Sequence, residues 1–226
     1  MLHHPTIDKL HTLKLTGMAR ALDEQARTSD IDALSFHERL GLLVDREMQE
    51  RENRRLATRL RFARLRSSAA LEDLDYRAAR NLDRAMIMKL AGCEWVTEHL
   101  NLLITGPTGV GKSFLASALA QKACREGFRA LYQRLPRLMT ELEISRGDGR
   151  YAKLMRSLAR VDVLILDDWG LENMNDRQRR DLLEIIDERH ESRSFHHRDQ
   201  PAACRTLARG HRRSHPGGCD SGSACA

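Results

Sequence analysis

Gly106-Pro107-Thr108-Gly109-Val110-Gly111-Lys112-Ser113 is the stretch whose reading decides the fold. It fills every fixed position of the pattern G-x-x-x-x-G-K-S, and its flanks suit that pattern. Residues 99–105 run into it as a short apolar segment, expected to be a strand over 100–105. Residues 114–120 leave it with helical composition. Strand, glycine loop and helix are what a polyphosphate cradle needs. The glycines let successive backbone N–H groups turn inward, and the helix N-terminus adds a favourable dipole. On this reading all eight residues, Gly106, Pro107, Thr108, Gly109, Val110, Gly111, Lys112 and Ser113, line the phosphates. Lys112 reaches the β- and γ-phosphates, and the Ser113 hydroxyl ligates Mg²⁺.

A second signal sits downstream. Residues 161–166, Val-Asp-Val-Leu-Ile-Leu, form a nearly continuous apolar run, as a buried parallel strand requires, and end in Asp167 and Asp168. A carboxylate there can hold a magnesium shell while its neighbour orients or deprotonates water, so Asp167 is assigned to the metal and Asp168 to the water. Between the two signals, helix 112–126 ends near Gly127, a strand covers 129–133, and helical segments cover about 135–146 and 150–159. A helix over 175–191 follows. Such alternation argues for a parallel sheet flanked by helices.

Upstream, residues 5–66 read as helices. Ile7, Leu10, Leu13, Met18 and Leu22 follow three-to-four spacing. Ser35 and Glu38 form a capping box ahead of Phe36, Leu40, Val44 and Met48. The chain then carries a run of arginines. Arg51, Arg54, Arg55, Arg59 and Arg61 continue into Arg64 and Arg66, opposed only by Glu52. Such density suits DNA phosphates, and a solvated helix face is the other reading. Arg177, Arg179 and Arg180 beside Asp176 and Asp181 allow either a trans-acting arginine or a self-neutralising face.

The chain has 226 residues and a formal net charge of +6. Residues 1–70 carry 13 basic and 10 acidic side chains, residues 71–190 carry 19 of each, and residues 191–226 carry 6 and 3. The excess therefore lies outside the expected nucleotide core, which points to partners met through the N-terminal region. No apolar stretch approaches membrane-spanning length, no leader pattern opens the chain, and no C-x-x-C pair occurs. A reducing cytoplasm is expected, and a zinc site is not.

With these parts in place the chain resembles the IstB-like ATPases, the helper proteins of insertion-sequence transposition, which are related to DnaC-type helicase loaders within the AAA+ class. The resemblance rests on the phosphate loop with Phe114-Leu115-Ala116 and on the run from Val163 to Gly170. It rests also on Leu182-Leu183-Glu184-Ile185-Ile186-Asp187-Glu188-Arg189, Leu15-Thr16-Gly17-Met18-Ala19 and Ser35-Phe36-His37-Glu38-Arg39-Leu40. It implies an α/β fold of P-loop NTPase (AAA+) type, with ATP and Mg²⁺ bound between neighbouring subunits of a homo-oligomer. It also implies assembly on double-stranded DNA and recruitment or stimulation of the transposase of the same element. A replicative helicase loader is the alternative within the superfamily. The implied organisation is a helical DNA- or partner-binding domain over 1–66, a connector over 67–98 and an ATPase core over 99–194.

The family would continue with a strand carrying a polar sensor and, later, an arginine completing a neighbour's site. Residues 195–226 show neither. They contain no Val, Ile or Met, a single Leu (Leu207), four histidines and three cysteines. This segment is expected to be translated out of frame or to be a disordered basic tail. In the first case the core lacks its C-terminal part, and the product binds ATP but hydrolyses it poorly.

Overall fold

The computed structural model describes residues 5–76, 82–169 and 173–194, with side-chain surroundings to residue 190. The segment 195–226 lies outside the described residues, as does Gly170. The described residues form helices α1 (Pro5–Thr12), α2 (Thr16–Gln25), α3 (Phe36–Ala63), α4 (Arg84–Ala91) and α5 (Glu94–Thr97) ahead of the glycine loop. After it come α6 (Lys112–Arg125), β1 (Ala130–Arg134), α7 (Leu135–Gly147), α8 (Tyr151–Ala159), β2 (Val163–Asp167) and α9 (Asp176–Ser194).

The N-terminal spacing that runs from Ile7 to Leu22 is interrupted at Lys14, whose φ of +60° ends α1 and turns the chain into α2. Helix α3 begins on the expected capping box. The Glu38 amide donates to Ser35 Oγ at 3.4 Å, and the Ser35 amide donates to Glu38 Oε2 at 2.8 Å. At 28 residues α3 is a rod of about 42 Å. Its N-terminal half packs on α2, and its C-terminal half packs on α6 and β1. The stripe Phe36, Leu40, Val44 and Met48 faces outward, with Phe36 73% exposed, while the buried Glu47 meets α2. The apolar spacing of this half therefore does not mark its packed side.

Strands β1 and β2 pair in parallel, with Ala130 opposite Val163 and Arg134 opposite Asp167. Their alternation divides the core. Ala130, Val163 and Ile165 pack towards Ala120, Ala123 and Cys124 of α6 and Ala63 of α3. Leu131, Leu164 and Leu166 pack on the other face, towards Leu138 and Leu142 of α7, Leu158 of α8 and Ile185 of α9. Helices thus cover both faces of a short mixed α/β core.

Two expectations are corrected. Residues 100–105 form no strand: a strand exists through its ladder, and among the described residues the ladder holds only β1 and β2. Ile104 packs near Leu115 and Leu119, while Leu103 is 77% exposed. For the same reason β2 is not a fully buried strand. Val163 is buried and the next four residues are half-buried; among the described residues pairing covers only one edge of β2. The structure thus shows two parallel strands where the alternation predicted a larger sheet. Among the described residues no helix is long and apolar enough to cross a membrane.

Candidate functional site

The glycine loop enters α6 directly. Gly109 and Gly111 have φ of +86° and +95°, left-handed values that a side chain would strain. Gly111 is the N-cap, so Lys112 and Ser113 occupy the first turn of α6. Lys112 Nζ donates to the carbonyls of Gly106 and Pro107 at 2.7 and 2.8 Å. A cation and the orphan amides of a helix start therefore lie together at the loop, an arrangement that can neutralise polyphosphate.

Strand alternation brings the second half of the site to the same place. Residues 163, 165 and 167 share the α6 side of the sheet, as do residues 130 and 132. Asp167, the last residue of β2, therefore faces the start of α6, and Ser113 Oγ donates to its Oδ2 at 2.6 Å. The pair joins residues 54 positions apart. One hydroxyl and one carboxylate beside a phosphate loop form an all-oxygen donor set. That suits Mg²⁺, which takes one or two protein ligands and keeps the rest of its shell for water and phosphate. The described residues hold no cluster of three or more His, Cys, Asp or Glu that would suit another metal.

Asp167 has more partners than the motif alone suggests. The Tyr132 hydroxyl also donates to Oδ2, the Asp168 amide donates to Oδ1 at 2.9 Å, and Arg66 Nη1 lies 3.8 Å from Oδ2. Burial opposes ionisation of this carboxyl. The hydrogen bonds from Ser113, Tyr132 and the Asp168 amide, with Arg66 nearby, outweigh burial and hold it below the ordinary aspartate value. Tyr132 moves the other way. Burial first, and then its bond to the carboxylate, push the phenol up to about 12.

Asp168 adopts φ +62° and forms an ion pair with Arg134. The structure therefore joins Asp167 to the loop through Ser113, whereas Asp168 pairs with Arg134 and, among the described residues, forms no hydrogen bond or ion pair with the loop. Tyr132 and Arg134 belong to no motif, and Arg66 is in sequence only the end of an arginine run. The signal for the first two is the strand period and pairing register, which bring 132 and 134 beside 167 only once β1 and β2 are paired.

The arginines of α3 divide by partner. Arg51 Nε donates to Glu47 Oε1 at 2.7 Å, Arg54 Nη2 donates to Thr16 Oγ1 at 2.9 Å, and Arg59 Nε donates to the Cys124 carbonyl at 2.8 Å. Arg55 and Arg61 form no ion pair with the described residues. Arg54, Arg55, Thr58, Arg59, Gly127 and Arg129 line an open groove of about 440 Å³ at the end of α6 away from the phosphate loop. Of the arginines near α9, Arg179 pairs with Asp176 at 3.1 Å, on an exposed face.

The model of the IstB-like ATP binding protein family matches residues 8–196. An insertion sequence ATP-binding protein of Sinorhizobium fredii is 56% identical over 194 residues, covering 86% of this chain and 79% of its own. The insertion sequence IS1162 ATP-binding protein of Pseudomonas fluorescens is 51% identical over 195 residues, covering 86% and 84%. The insertion sequence IS21 ATP-binding protein of Pseudomonas aeruginosa is 31% identical over 189 residues, covering 84% and 70%.

Proposed function

Because this chain belongs to the IstB-like ATP-binding proteins of insertion sequences, we propose that residues 106–113 bind the phosphates of ATP. On this reading Ser113 and Asp167 hold Mg²⁺ and Asp168 orients the attacking water. The observation that carries the proposal is the 2.6 Å bond from Ser113 Oγ to Asp167 Oδ2, which joins the loop to the acidic strand end across 54 positions of sequence. Magnesium held by these two residues would supply charge neutralisation to the phosphates. The chain's own residues do the rest. Loop amides and Lys112 orient the phosphates, Ser113 offers an oxygen lone pair while its O–H stays hydrogen-bonded to Asp167, and Asp168, held by Arg134, orients the water.

The finer reading is an AAA+-type core that assembles as a homo-oligomer on double-stranded DNA and recruits or stimulates the transposase of the same element. The helical region 1–66 and the arginines Arg51, Arg54, Arg55, Arg59 and Arg61 meet the DNA. Supporting it are the basic excess of residues 1–70 and the open groove beside α3. The test is ATP turnover with and without duplex DNA. The expected result is DNA-stimulated hydrolysis that Lys112→Ala lowers about a hundredfold or more, the usual cost of removing a donor that stabilises developing charge. Hydrolysis that survives this substitution sinks the site assignment. A second reading, a product that binds nucleotide without turning it over, is motivated by the unpaired segment 100–105 and the half-covered β2. Nucleotide binding with no turnover, with or without DNA, selects it.

A further inference from the structure

We propose that Tyr132 is a positioning residue for the Ser113-facing oxygen of Asp167, and that Arg66 is a counter-cation that competes with magnesium for the charge of that carboxylate. The inference rests on the site assignment above and deepens it.

The argument starts from how many bonds the carboxylate can accept. Each oxygen has two good acceptor directions. Oδ2 accepts from Ser113 and Tyr132, and Oδ1 accepts from the Asp168 amide. Oδ2 is therefore filled by two hydroxyls, and its direction towards Ser113 is fixed from two sides, while Oδ1 keeps one acceptor direction for a cation or its water. Tyr132 is only 7% exposed and sits on β1 directly opposite Ile165, so its ring is held by the sheet. The Ser113 backbone is also tied in place, because its carbonyl accepts the Ser117 hydroxyl at 2.7 Å and its turn begins α6. A serine that donates its proton to a fixed carboxylate keeps its oxygen lone pairs aimed away from that carboxylate, available to a cation. Remove the phenolic oxygen and Oδ2 loses one of its two hydroxyl donors, so that the carboxylate, still held by the Asp168 amide and Ser113, fixes the aim of the serine oxygen less firmly.

Arg66 works in the opposite direction. It follows the left-handed C-cap of α3 at Arg64 and approaches Oδ2 at 3.8 Å with its side chain 58% exposed. So distant and exposed a guanidinium holds weakly, yet its charge sits where a divalent cation would gain most from Asp167. Magnesium must outcompete it. The last arginine of the α3 run thus lies at the nucleotide site and not with Arg55 at the groove, which links the position of α3 to metal occupancy.

The test uses the full chain and a fluorescent ATP analogue, titrated in EDTA and at a series of magnesium concentrations. Losing a partner that orients a metal ligand typically weakens metal affinity about 10–100-fold. Tyr132→Phe is expected to raise the half-saturating magnesium concentration about tenfold. It should leave affinity in EDTA within about twofold and the melting temperature within a few degrees. Arg66→Gln is expected to lower the magnesium requirement about threefold, in line with the modest strength of an exposed pair. A Tyr132→Phe protein whose magnesium requirement is unchanged overturns the proposal. So does one that loses equal affinity in EDTA, because Tyr132 is then only a packing residue. An Arg66→Gln protein that needs more magnesium overturns the counter-cation. If the unmodified chain binds the analogue with no magnesium effect at all, the site assignment itself falls and the proposal falls with it.

Discussion

Gly17 is where the two N-terminal helices close on one another. A Cβ there would sit 2.8 Å from the Glu47 backbone Cα and 2.9 Å from the Arg46 carbonyl, distances no side chain tolerates. The same approach lets Glu47 Oε2 accept the Gly17 and Met18 amides at 2.7 and 3.2 Å, so a buried carboxylate satisfies the first amides of α2. Gly17→Ala should therefore destabilise the protein by about 2 kcal/mol, the usual cost of overpacking. Gly41, with open space around its position on α3, is the control: Gly41→Ala should stabilise by roughly 0.5–1 kcal/mol. Denaturant midpoints decide both, and a stabilising Gly17→Ala would contradict the close packing. Glu47 also makes a pH prediction. Burial works to raise its pKa, but the Arg51 bond and the Met18 and Gly17 amides prevail, and the folded value lies below 4.5. A depressed carboxyl contributes stability that is present above its unfolded pKa and lost as pH falls through its folded one. The stability gap between the unmodified chain and Glu47→Gln should thus be full at neutral pH and shrink below about pH 4.5.

Among the elements, those set by local signals were legible in the sequence and those set by partners were not. Helix α6, from Lys112 to Arg125, follows its glycine loop and stops before Gly127, whose φ of +100° only glycine accepts freely. The start of α9 carries a local signal too. Asn175 and Gln178 cap each other through reciprocal bonds of 2.9 and 3.0 Å. Residues 100–105 have strand composition yet form no strand, because composition cannot supply a neighbour. The Ser113–Asp167 half of the site was legible from two motifs, whereas the roles of Tyr132 and Arg66 needed the pairing of β1 with β2 and the run of α3 past α6. Arg129 at the groove was hidden for that reason. It lies beside Arg55 only because α6 returns the chain to α3, and its guanidinium stacks 4.9 Å from the Phe62 ring. If the groove follows a DNA backbone, each arginine taken away from a phosphate should reduce the salt slope of binding by about 1. A double Arg55→Ala, Arg129→Ala protein should then show a slope shallower by about 2 in log affinity against log salt. Its ATP affinity should not change, since the groove and the phosphate loop lie at opposite ends of α6. An unchanged slope assigns these arginines to the solvated face.

At the scale of the whole molecule, apolar surface is left uncovered around the short sheet. Leu100, Leu102 and Leu103 ahead of the phosphate loop are exposed, as are Trp169 after β2 and Leu183 and Ile186 of α9. Strand β2 itself has, among the described residues, one paired edge. Unpaired strand edges and contiguous apolar patches drive association, and the sheet of an α/β protein is normally covered on both faces and continued by further strands. The family match ends at residue 196, close to where composition changes and aliphatic residues become scarce. Out-of-frame translation from about residue 194 would account for both, and the coding DNA around codons 193–196 tests it directly. A single insertion or deletion that restores an aliphatic, family-like continuation supports it, and the lack of one removes it. The physical counterpart is measurable on the protein. The chain as it stands should bind a hydrophobic dye, associate with rising concentration, and melt with low cooperativity. A Leu103→Lys, Ile186→Lys protein should lose dye binding and association while keeping its helical content, because both side chains face water and neither belongs to the three buried clusters. A monodisperse unmodified chain with a sharp melt and no dye binding would show that the edge is already covered and the sheet complete without further strands.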